Sequence, residues 1–316
     1  MEVSEIARMP LPNAPDCVIL GKLKTILEAS HEMENIAIIT DSGCDLPASF
    51  VQQCENLYVL PLMVRLDDGE YRSGVDIETE QLLQRMEAGE TAKTSLPDPG
   101  ELDELLAELK EKGITHIAFI MLSAALSGTV NMAQLICQRH KEFVTFVYDT
   151  KVLSMALGYI VLGALDLLKS GASFEKLEES LPKLREDVDC MFYLPSLDYL
   201  IAGGRIGRVA GMVGKLLNIK PIIGCDENGV YYPRATAIGP RRTVQTVKRI
   251  VADFAADHGF ELSVVHSGAF AEAKKLLDEL RDIPGILADQ ILPLGPALAA
   301  HVGRGMLAVC ARRQPL

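Results

Sequence analysis

Residues Thr115 to His140, THIAFIMLSAALSGTVNMAQLICQRH, contain the pattern that decides the fold. The run from Ile117 to Leu122 is apolar throughout and is long enough for a strand buried on both faces. A turn of small and hydroxyl-bearing residues, Ser123 to Thr129, follows it. Beyond the turn, apolar residues return at helical spacing, which predicts one strand–turn–helix unit of a parallel α/β sheet. These residues are Val130, Ala133, Ile136 and Cys137.

The hydroxyl-rich turn has two interpretations, and the residues alone leave both open. Ser127 or Thr129 would cap the following helix, as hydroxyl residues at helix starts commonly do. Alternatively, the turn would bind an anion, because the first N–H groups of a helix lack partners and the macrodipole is positive there. The second interpretation predicts a binding site at the carboxyl end of this strand.

Further strand–turn–helix units predict a doubly wound parallel sheet in the first half of the chain. One strand runs into a polar turn in which Asp45 or Ser42 would cap the helix after Pro47. Thr94 to Pro97 is predicted to be an extended loop stiffened by its proline. The predicted strands are Ile36–Ile39, Leu57–Leu66 and Phe143–Val147, and the predicted helices are Ile77–Met86, Leu102–Leu109, Val152–Leu165 and Leu177–Leu184.

The pattern changes near residue 186. The Asn228-Gly229 pair lies between two apolar runs and predicts a β-hairpin, which is an antiparallel element. Helical patterns continue around it, so the second half is predicted to be a mixed α/β domain. We therefore divide the chain into an extension (1–34), an N-terminal domain (35–185) and a C-terminal domain (186–316).

Composition excludes several classes of function. The net charge of −12 argues against nucleic acid as a partner, because such binders present a basic face. The seven cysteines are scattered without a CxxC pair, which is typical of reduced thiols in the cytoplasm. The most uniformly apolar run, Val152 to Leu165, is too short to cross a bilayer. No signal peptide is evident either, so we expect a soluble cytoplasmic protein.

Motif searches find no catalytic or metal-binding pattern. The chain lacks the glycine spacing of a dinucleotide fold, a phosphate-binding loop, a nucleophile elbow and paired metal ligands. The remaining candidates are neutral or cationic groups, which suit the binding of a carboxylate better than a reaction on it. A lone histidine is often only a structural residue, and Arg205 would either cap a helix or bind an anion. The candidates are Thr94, Ser95, Ser123, Ser127, Arg205, His301 and Arg304.

Six short motifs carry a resemblance to a known family. They are Ile39-Thr40-Asp41-Ser42 with Asp45-Leu46-Pro47, Thr94-Ser95-Leu96-Pro97, Leu122 to Thr129, Asp149-Thr150-Lys151 with Ser154, Gly203-Gly204-Arg205-Ile206, and His301-Val302-Gly303. In this order they resemble DegV proteins, the fatty-acid-binding subunits of bacterial fatty acid kinase. The resemblance runs from about Ile36 to the C-terminus.

The resemblance implies an α/β fold of two domains, together covering residues 35–314, with a ligand tunnel between them. One long-chain fatty acid would lie in the tunnel with its carboxyl group at the mouth. A separate ATP-dependent kinase would convert that group to an acyl phosphate for phospholipid synthesis. The protein itself would be noncatalytic and would hold no metal or cofactor, although transient contact with a membrane surface fits such a role.

Motif positions also imply roles for particular residues. Arg205 matches the arginine that the family uses to engage the kinase, and Arg304 is a candidate neighbour of the head group. The tunnel lining is expected to include Val152 to Leu165 and Met212 to Leu217. The residues expected at the carboxylate are Thr94, Ser127, His301, Ser95 and Ser123.

The chain departs from the family pattern at four places. Ala124 stands where a second serine is usual, Leu96 where glutamine is frequent, and Arg304 where proline is usual. The first 34 residues have no counterpart in the common pattern. An additional cation at Arg304 would tighten carboxylate binding if it lay near the head group.

Two other functions remain as alternatives. The protein would be an enzyme, a phosphotransferase or hydrolase on a small acid, if Asp41 or His301 acted as a catalytic group. It would be a carrier of another amphiphile if the tunnel were present but no kinase were its partner. Turnover and nucleotide binding by the purified protein discriminate the first alternative, and identification of the bound lipid discriminates the second.

Overall fold

The structure is a computed structural model that describes residues 34–212, 219–256 and 258–314. Most of the predicted extension and most of the Met212 to Leu217 segment therefore lie outside the described residues. The strands are β1 Ile36–Asp41, β2 Leu57–Leu60, β3 Met63–Leu66, β4 Gly69–Arg72, β5 Lys93–Ser95, β6 His116–Met121, β7 Val144–Asp149, β8 Val188–Tyr193, β9 Ile219–Cys225, β10 Tyr231–Ile238, β11 Phe260–His266, β12 Ile286–Pro293 and β13 Leu307–Arg313.

Helices connect most of these strands. The α-helices are α1 Ala48–Val51, α2 Thr79–Glu87, α3 Pro99–Glu111, α4 Thr129–Cys137, α5 Met155–Lys169, α6 Phe174–Glu186, α7 Asp198–Ala202, α8 Pro240–Ala255, α9 Phe270–Leu280 and α10 Pro296–Ala299. Short 3-10 helices cover Ser42–Cys44 and Gly207–Met212. No helix in the described ranges is long and apolar enough to span a bilayer.

The first sheet is parallel, with strand order β2-β1-β6-β7. Every residue of β1 is buried, and so are five of the six in β6, because helices cover both faces. Ile36 and Ile38 pack into a hydrophobic cluster on one face of the sheet, whereas Ala37 and Ile39 pack into a second cluster on the opposite face. This alternation follows from the two-residue repeat of a strand. The predicted doubly wound parallel sheet is confirmed.

The predicted strand Leu57–Leu66 is wrong as a single element. It breaks at Pro61-Leu62, and its halves belong to different sheets: β2 to the parallel sheet and β3 to a small antiparallel sheet of order β4-β3-β5. Proline lacks the N–H that a central strand needs. Leu62 instead donates its N–H to Ser42 Oγ at 2.9 Å. The predicted loop at Thr94 likewise contains a strand, β5, in which Thr94 pairs with Val64.

The second sheet is mixed, with order β10-β9-β8-β13-β11-β12. Only β11 and β12 pair in parallel within the described part of this sheet. The predicted hairpin at Asn228-Gly229 is confirmed, since β9 and β10 pair antiparallel on either side of it. Asp226 closes the turn by accepting hydrogen bonds from the N–H groups of Asn228 and Val230.

Helix α5 packs against strands of both large sheets, β1 and β6 in the first and β8 and β13 in the second. Ten of its fifteen residues are buried, which explains why its sequence is apolar on all sides. Tyr159, in the middle of α5, shares a hydrogen bond of 2.8 Å with Ser263 on β11. The chain passes from the first sheet to the second between α6 and β8, where we predict the domain boundary. The division into two domains remains a prediction.

Candidate functional site

A cavity of about 220 Å³ lies where the turns after the parallel strands meet loops of the second sheet. Its lining is apolar except for one group of hydroxyl, imidazole and guanidinium side chains. The lining residues are Leu62, Thr94, Ser95, Leu96, Leu122, Leu126, Ser127, Leu153, Arg205, Tyr231, Ala297, Leu298 and His301. Five of the seven candidate residues from the sequence are therefore brought together.

Thr94 and His301 form the central contact of this group. Thr94 Oγ1 lies 2.7 Å from His301 Nε2, although 207 positions separate the two residues in the chain. Thr94 is fixed by the pairing of β5 with β3. His301 lies two residues after the end of α10 and donates its N–H to the carbonyl of Leu298. The contact joins the small antiparallel sheet to the second half of the chain.

His301 is neutral at physiological pH. Burial, together with the positive charge of Arg205, lowers its pKa to about 4. Its Nδ1 atom is buried and has no hydrogen-bond partner in the described part of the chain. It lies against Gly203, where a Cβ atom would collide with it. This close approach requires glycine at that position.

The neutral ring has two tautomers, and burial favours one of them. A proton on Nδ1 would be a buried donor without a partner, which costs the full desolvation of that group. We therefore assign the proton to Nε2, which donates to Thr94 Oγ1. The hydrogen of the Thr94 hydroxyl is then available to an acceptor in the cavity, such as a carboxylate oxygen.

Ser127 lines the cavity beside the start of α4. Its hydroxyl lies 2.8 Å from Thr129 Oγ1. Gly128 occupies the N-cap position, and no side chain within the described ranges caps this helix. The capping interpretation of Ser127 and Thr129 is therefore wrong. The first N–H groups of α4 remain next to the cavity, as the anion-binding interpretation requires.

Arg205 makes the contact expected of a helix cap, and its role in binding an anion remains a prediction. Its Nη1 donates to the carbonyl of Gly203 at 2.7 Å, and Gly203 is the C-cap of α7. Its Nε donates to the carbonyl of Leu126 at 3.2 Å, which ties α7 to the hydroxyl-rich turn. These bonds use two of the five N–H groups of the guanidinium, which also lines the cavity.

Ser123 and Arg304 are not part of the cavity lining. Ser123 is fully buried: it donates to the carbonyl of Gly229 at 3.0 Å and accepts from the N–H of Ala125. Arg304 lies in a separate surface cleft, where its guanidinium contacts Glu80 at 2.8 Å and Glu87 at 2.6 Å. The two carboxylates of α2 hold this cation, so the structure contradicts its expected place beside a head group.

Asp41 does not face the cavity either. It is fully buried and accepts hydrogen bonds of 2.9 Å from the N–H groups of Gly43 and Leu122. Burial raises its pKa to about 7, although the two hydrogen bonds partly oppose this effect. Its contacts are those of a residue that holds the turn after β1 against the end of β6.

The predicted caps of the helix after Pro47 are also wrong. Ser42 Oγ accepts from Leu62, and Asp45 accepts from the N–H of Gly295 at 2.8 Å and from the hydroxyl of Ser154 at 2.5 Å. Both side chains therefore bind parts of the chain that are distant in sequence. Pro47 occupies the N-cap of α1, without a side-chain cap from the described residues.

Tyr231, Leu153 and Leu298 complete the lining. Leu153 belongs to the apolar stretch predicted to line a tunnel, although α5 itself does not contribute to this cavity. Tyr231 and Leu298 are contributions that the sequence did not reveal. Tyr231 directly follows the hairpin turn, but its position beside Thr94 and His301 depends on how the two sheets pack. Nothing in the local pattern indicates that packing.

Metal ligands are not grouped in the described residues. No set of three or more His, Cys, Asp or Glu side chains there could hold a metal ion. The polar groups of the cavity are instead hydrogen-bond donors: hydroxyls, a neutral imidazole and a guanidinium. Such a set suits the two oxygens of a carboxylate, with the chain that carries it directed toward the apolar lining.

The chain is similar over most of its length to proteins of one known family. Residues 35–314 match the family model described as "Uncharacterised protein, DegV family". A DegV domain-containing protein of Clostridium perfringens is 36% identical over 282 residues, which cover 89% of this chain and 100% of the relative.

Two solved structures are similar in fold. One, a fatty-acid-binding DegV family protein from Thermus thermophilus, has a TM-score of 0.83 and 28% identity. The other, DegV from Bacillus subtilis, described as a fatty acid binding protein, has a TM-score of 0.81 and 26% identity. Each comparison covers 89% of this chain and 100% of the other.

The low pKa of His301 gives a prediction about acid stability. The unfolded chain binds a proton at this residue near pH 6.5 and the folded chain only near pH 4. The stabilising contribution of the neutral ring is therefore fully present above about pH 6.5 and is lost as the pH falls toward 4. As the pH falls from about 6.5 to 4, we expect the free energy of unfolding to decrease less in His301→Gln than in the wild type. Urea unfolding at several pH values measures the difference.

His258, which contacts the carbonyl of Ala256 and does not line the cavity, provides the control. The difference between His258→Gln and His301→Gln separates the effect of the His301 site from that of removing any histidine. Asp41, whose pKa is raised, makes a contribution to stability that grows as the pH falls, which is opposite to that of His301. This contribution is the same in the wild type and in both variants. A His301 imidazole that titrates near pH 6.5 in an NMR experiment on the folded wild type would contradict the assignment.

Proposed function

The chain belongs to the DegV family, and on that premise we propose that it binds one long-chain fatty acid. Thr94 and Ser127 would donate to the carboxylate, with Ser95 beside them, and His301 would complete the cluster by orienting the Thr94 hydroxyl. The observation that carries this proposal is the cluster of polar side chains in an otherwise apolar cavity lining. Solved relatives described as fatty-acid-binding proteins share the fold over 89% of this chain and support it.

The alkyl chain and the carboxylate of the ligand would contribute differently to binding. Burial of an alkyl chain contributes about 0.8 kcal/mol per methylene, so the apolar lining supplies most of the affinity. Neutral donors at the head group fix the position of the carboxylate. The N–H groups at the start of α4 add a favourable electrostatic field beside Ser127.

We further propose that the bound acid is presented to a separate ATP-dependent kinase, which forms an acyl phosphate that feeds phospholipid synthesis. Arg205 supports this role because it lies at the cavity and ties the Gly203-Gly204 turn to the carbonyl of Leu126. The protein itself would then be a noncatalytic subunit without a cofactor. Its unpatterned cysteines fit a cytoplasmic location.

The first test is extraction of the purified protein with organic solvent, followed by mass spectrometry of the extract. We expect about one fatty acid per chain, since the cavity lining contains one cluster of polar side chains for a carboxylate. Another amphiphile in the same amount would favour the alternative carrier. An extract that stays empty after incubation with mixed fatty acids would contradict lipid binding and leave the enzyme alternative, which turnover by the protein alone would decide.

Removal of the two hydroxyls at the head group tests the carboxylate site. We expect Thr94→Val combined with Ser127→Ala to weaken fatty acid binding by about a hundredfold or more, because each of the two hydrogen bonds to a charged group contributes about 1.5–3 kcal/mol. Displacement of a fluorescent fatty acid measures the change.

The matched control for these hydroxyls is Ser170→Ala, which removes an exposed hydroxyl that contacts only the carbonyl of Leu167. Its affinity is expected to equal that of the wild type. The methyl ester of the same acid is expected to show a smaller difference between the wild type and the double variant, because its neutral carbonyl accepts weaker hydrogen bonds than a carboxylate does. Unchanged affinity of the double variant for the free acid would rule out this head-group assignment.

Arg205 tests the kinase role separately. We expect Arg205→Ala to change fatty acid affinity by less than about fivefold, because a partly exposed ion pair contributes at most about 1 kcal/mol. Acyl phosphate formation with a purified kinase of the DegV system is expected to slow by tenfold or more, the loss of about 1.4 kcal/mol. Equal phosphorylation rates for variant and wild type at saturating lipid would argue decisively against this role.

A further inference from the structure

A second cavity of about 30 Å³ adjoins the first. The two share Leu153, Tyr231 and Leu298, but the second lacks Thr94, Ser127 and His301. Its lining is mostly apolar, and Ser154 is its one hydroxyl of the serine or threonine type. An acyl chain whose carboxylate lies at Thr94 would therefore extend past the three shared side chains into this space.

A third space lies beyond the second cavity. It is a surface cleft of about 600 Å³ between the turn after β1 and the segment Leu292–Pro296. Leu294 lines both the cleft and the second cavity. Ser154, on the cavity side, donates a hydrogen bond of 2.5 Å to Asp45, on the cleft side. Leu294 and the Ser154–Asp45 pair thus separate the inner cavity from the cleft.

This wall is held from both sides. Thr79 Oγ1 donates to the carbonyl of Leu294 at 2.5 Å, and Asp45 accepts from the N–H of Gly295 at 2.8 Å. Leu294 donates its own N–H to the carbonyl of His266 at the end of β11. The side chain of Leu294 is only 3% exposed, so it has little freedom to move aside.

The backbone of Ser154 is strained. Its φ of 56° and ψ of −152° place it in a region that is essentially reserved for glycine. Such a conformation persists only where the surroundings determine it, and here the N–H of Ser154 donates to the carbonyl of Gly43 at 2.6 Å. The strain directs the hydroxyl of Ser154 to Asp45. It also places this residue in the lining of the inner cavity.

We propose that Leu294, supported by the Ser154–Asp45 hydrogen bond, is the closed end of the acyl tunnel and sets the longest chain that the protein accepts. The inference rests on the proposed fatty acid function and adds to it a determinant of substrate length. It also gives a role to Asp45, which holds the wall in place and does not contact the ligand. Leu294 is therefore a specificity-determining residue, and Asp45 is a positioning residue.

The test compares affinities for saturated fatty acids from dodecanoate to docosanoate. In the wild type, affinity rises about fourfold per methylene until the chain meets Leu294, and then falls. Leu294→Ala removes the side chain beyond Cβ and leaves space for about two more methylenes, so the preferred acid becomes longer by about two carbons. Leu294→Phe fills the space, and the preferred acid becomes shorter.

Leu292→Ala is the matched control, because Leu292 lines the cleft but not the inner cavity. Its preferred length is expected to equal that of the wild type. Circular dichroism and thermal unfolding establish that each variant is folded. If Leu294→Ala does not fold, Leu294→Val and Leu294→Phe carry the comparison.

Two outcomes overturn the inference, and they are distinguishable. If folded Leu294 variants weaken the binding of all acids by the same factor and keep the chain length that the wild type prefers, Leu294 is not the closed end of the tunnel. The proposed fatty acid function would still stand. If the wild type binds no fatty acid of any length, the function itself fails and the inference fails with it.

Discussion

The burial of α5 between two sheets is the constraint on which the rest of the structure depends. The helix is apolar on all sides, so it leaves water only if both the parallel sheet and the mixed sheet cover it. Strands of both sheets therefore pack against it. At Gly158 a Cβ atom would lie 2.7 Å from the carbonyl oxygen of Cys44, so the polar turn after β1 lies directly on the helix. The loops that form the cavity meet at the N-terminal end of this contact.

When the two sheets pack together, the polar groups in the loops between them are buried and need hydrogen-bond partners. Buried hydrogen-bonding groups are costly when unpaired, and here they pair across the junction. Asp45 accepts from Gly295, Thr94 bonds His301, and Arg205 donates to Leu126. These bonds orient side chains as well as stabilise the packing. These hydrogen bonds determine the positions of the side chains around the cavity, and the cavity is the space left between those side chains.

The sequence predicts much of the fold but less of the site, because the two depend on different distances along the chain. Strands and the hairpin follow from local patterns, and even the break at Pro61 had a local signal in the proline itself. Ser127 and Asp45 were open to interpretation as caps because a cap needs only neighbours, whereas the partner of Asp45 lies 250 positions away. Arg304 was misplaced for the same reason, since Glu80 and Glu87 are distant in sequence. Four of the five residues that the motif resemblance groups at the carboxylate line the same cavity, since a motif resemblance carries long-range information that periodicity lacks.

The chemistry of the cavity favours holding a ligand over transforming it. His301 is neutral and already hydrogen-bonded to Thr94, and its low pKa makes it a weak base near neutral pH. Asp41, the other titratable candidate, is fully buried away from the cavity and uses both oxygens to fix a turn. A hydroxyl without a nearby base stays a weak nucleophile. The same hydroxyl is nevertheless a good donor to a carboxylate, and neutral donors leave the charge of that carboxylate in place. Under the proposed function, the carboxylate would then keep the nucleophilic oxygen that a phosphoryl donor needs, so the neutral donors that are poor catalysts would also preserve the reactivity of the ligand.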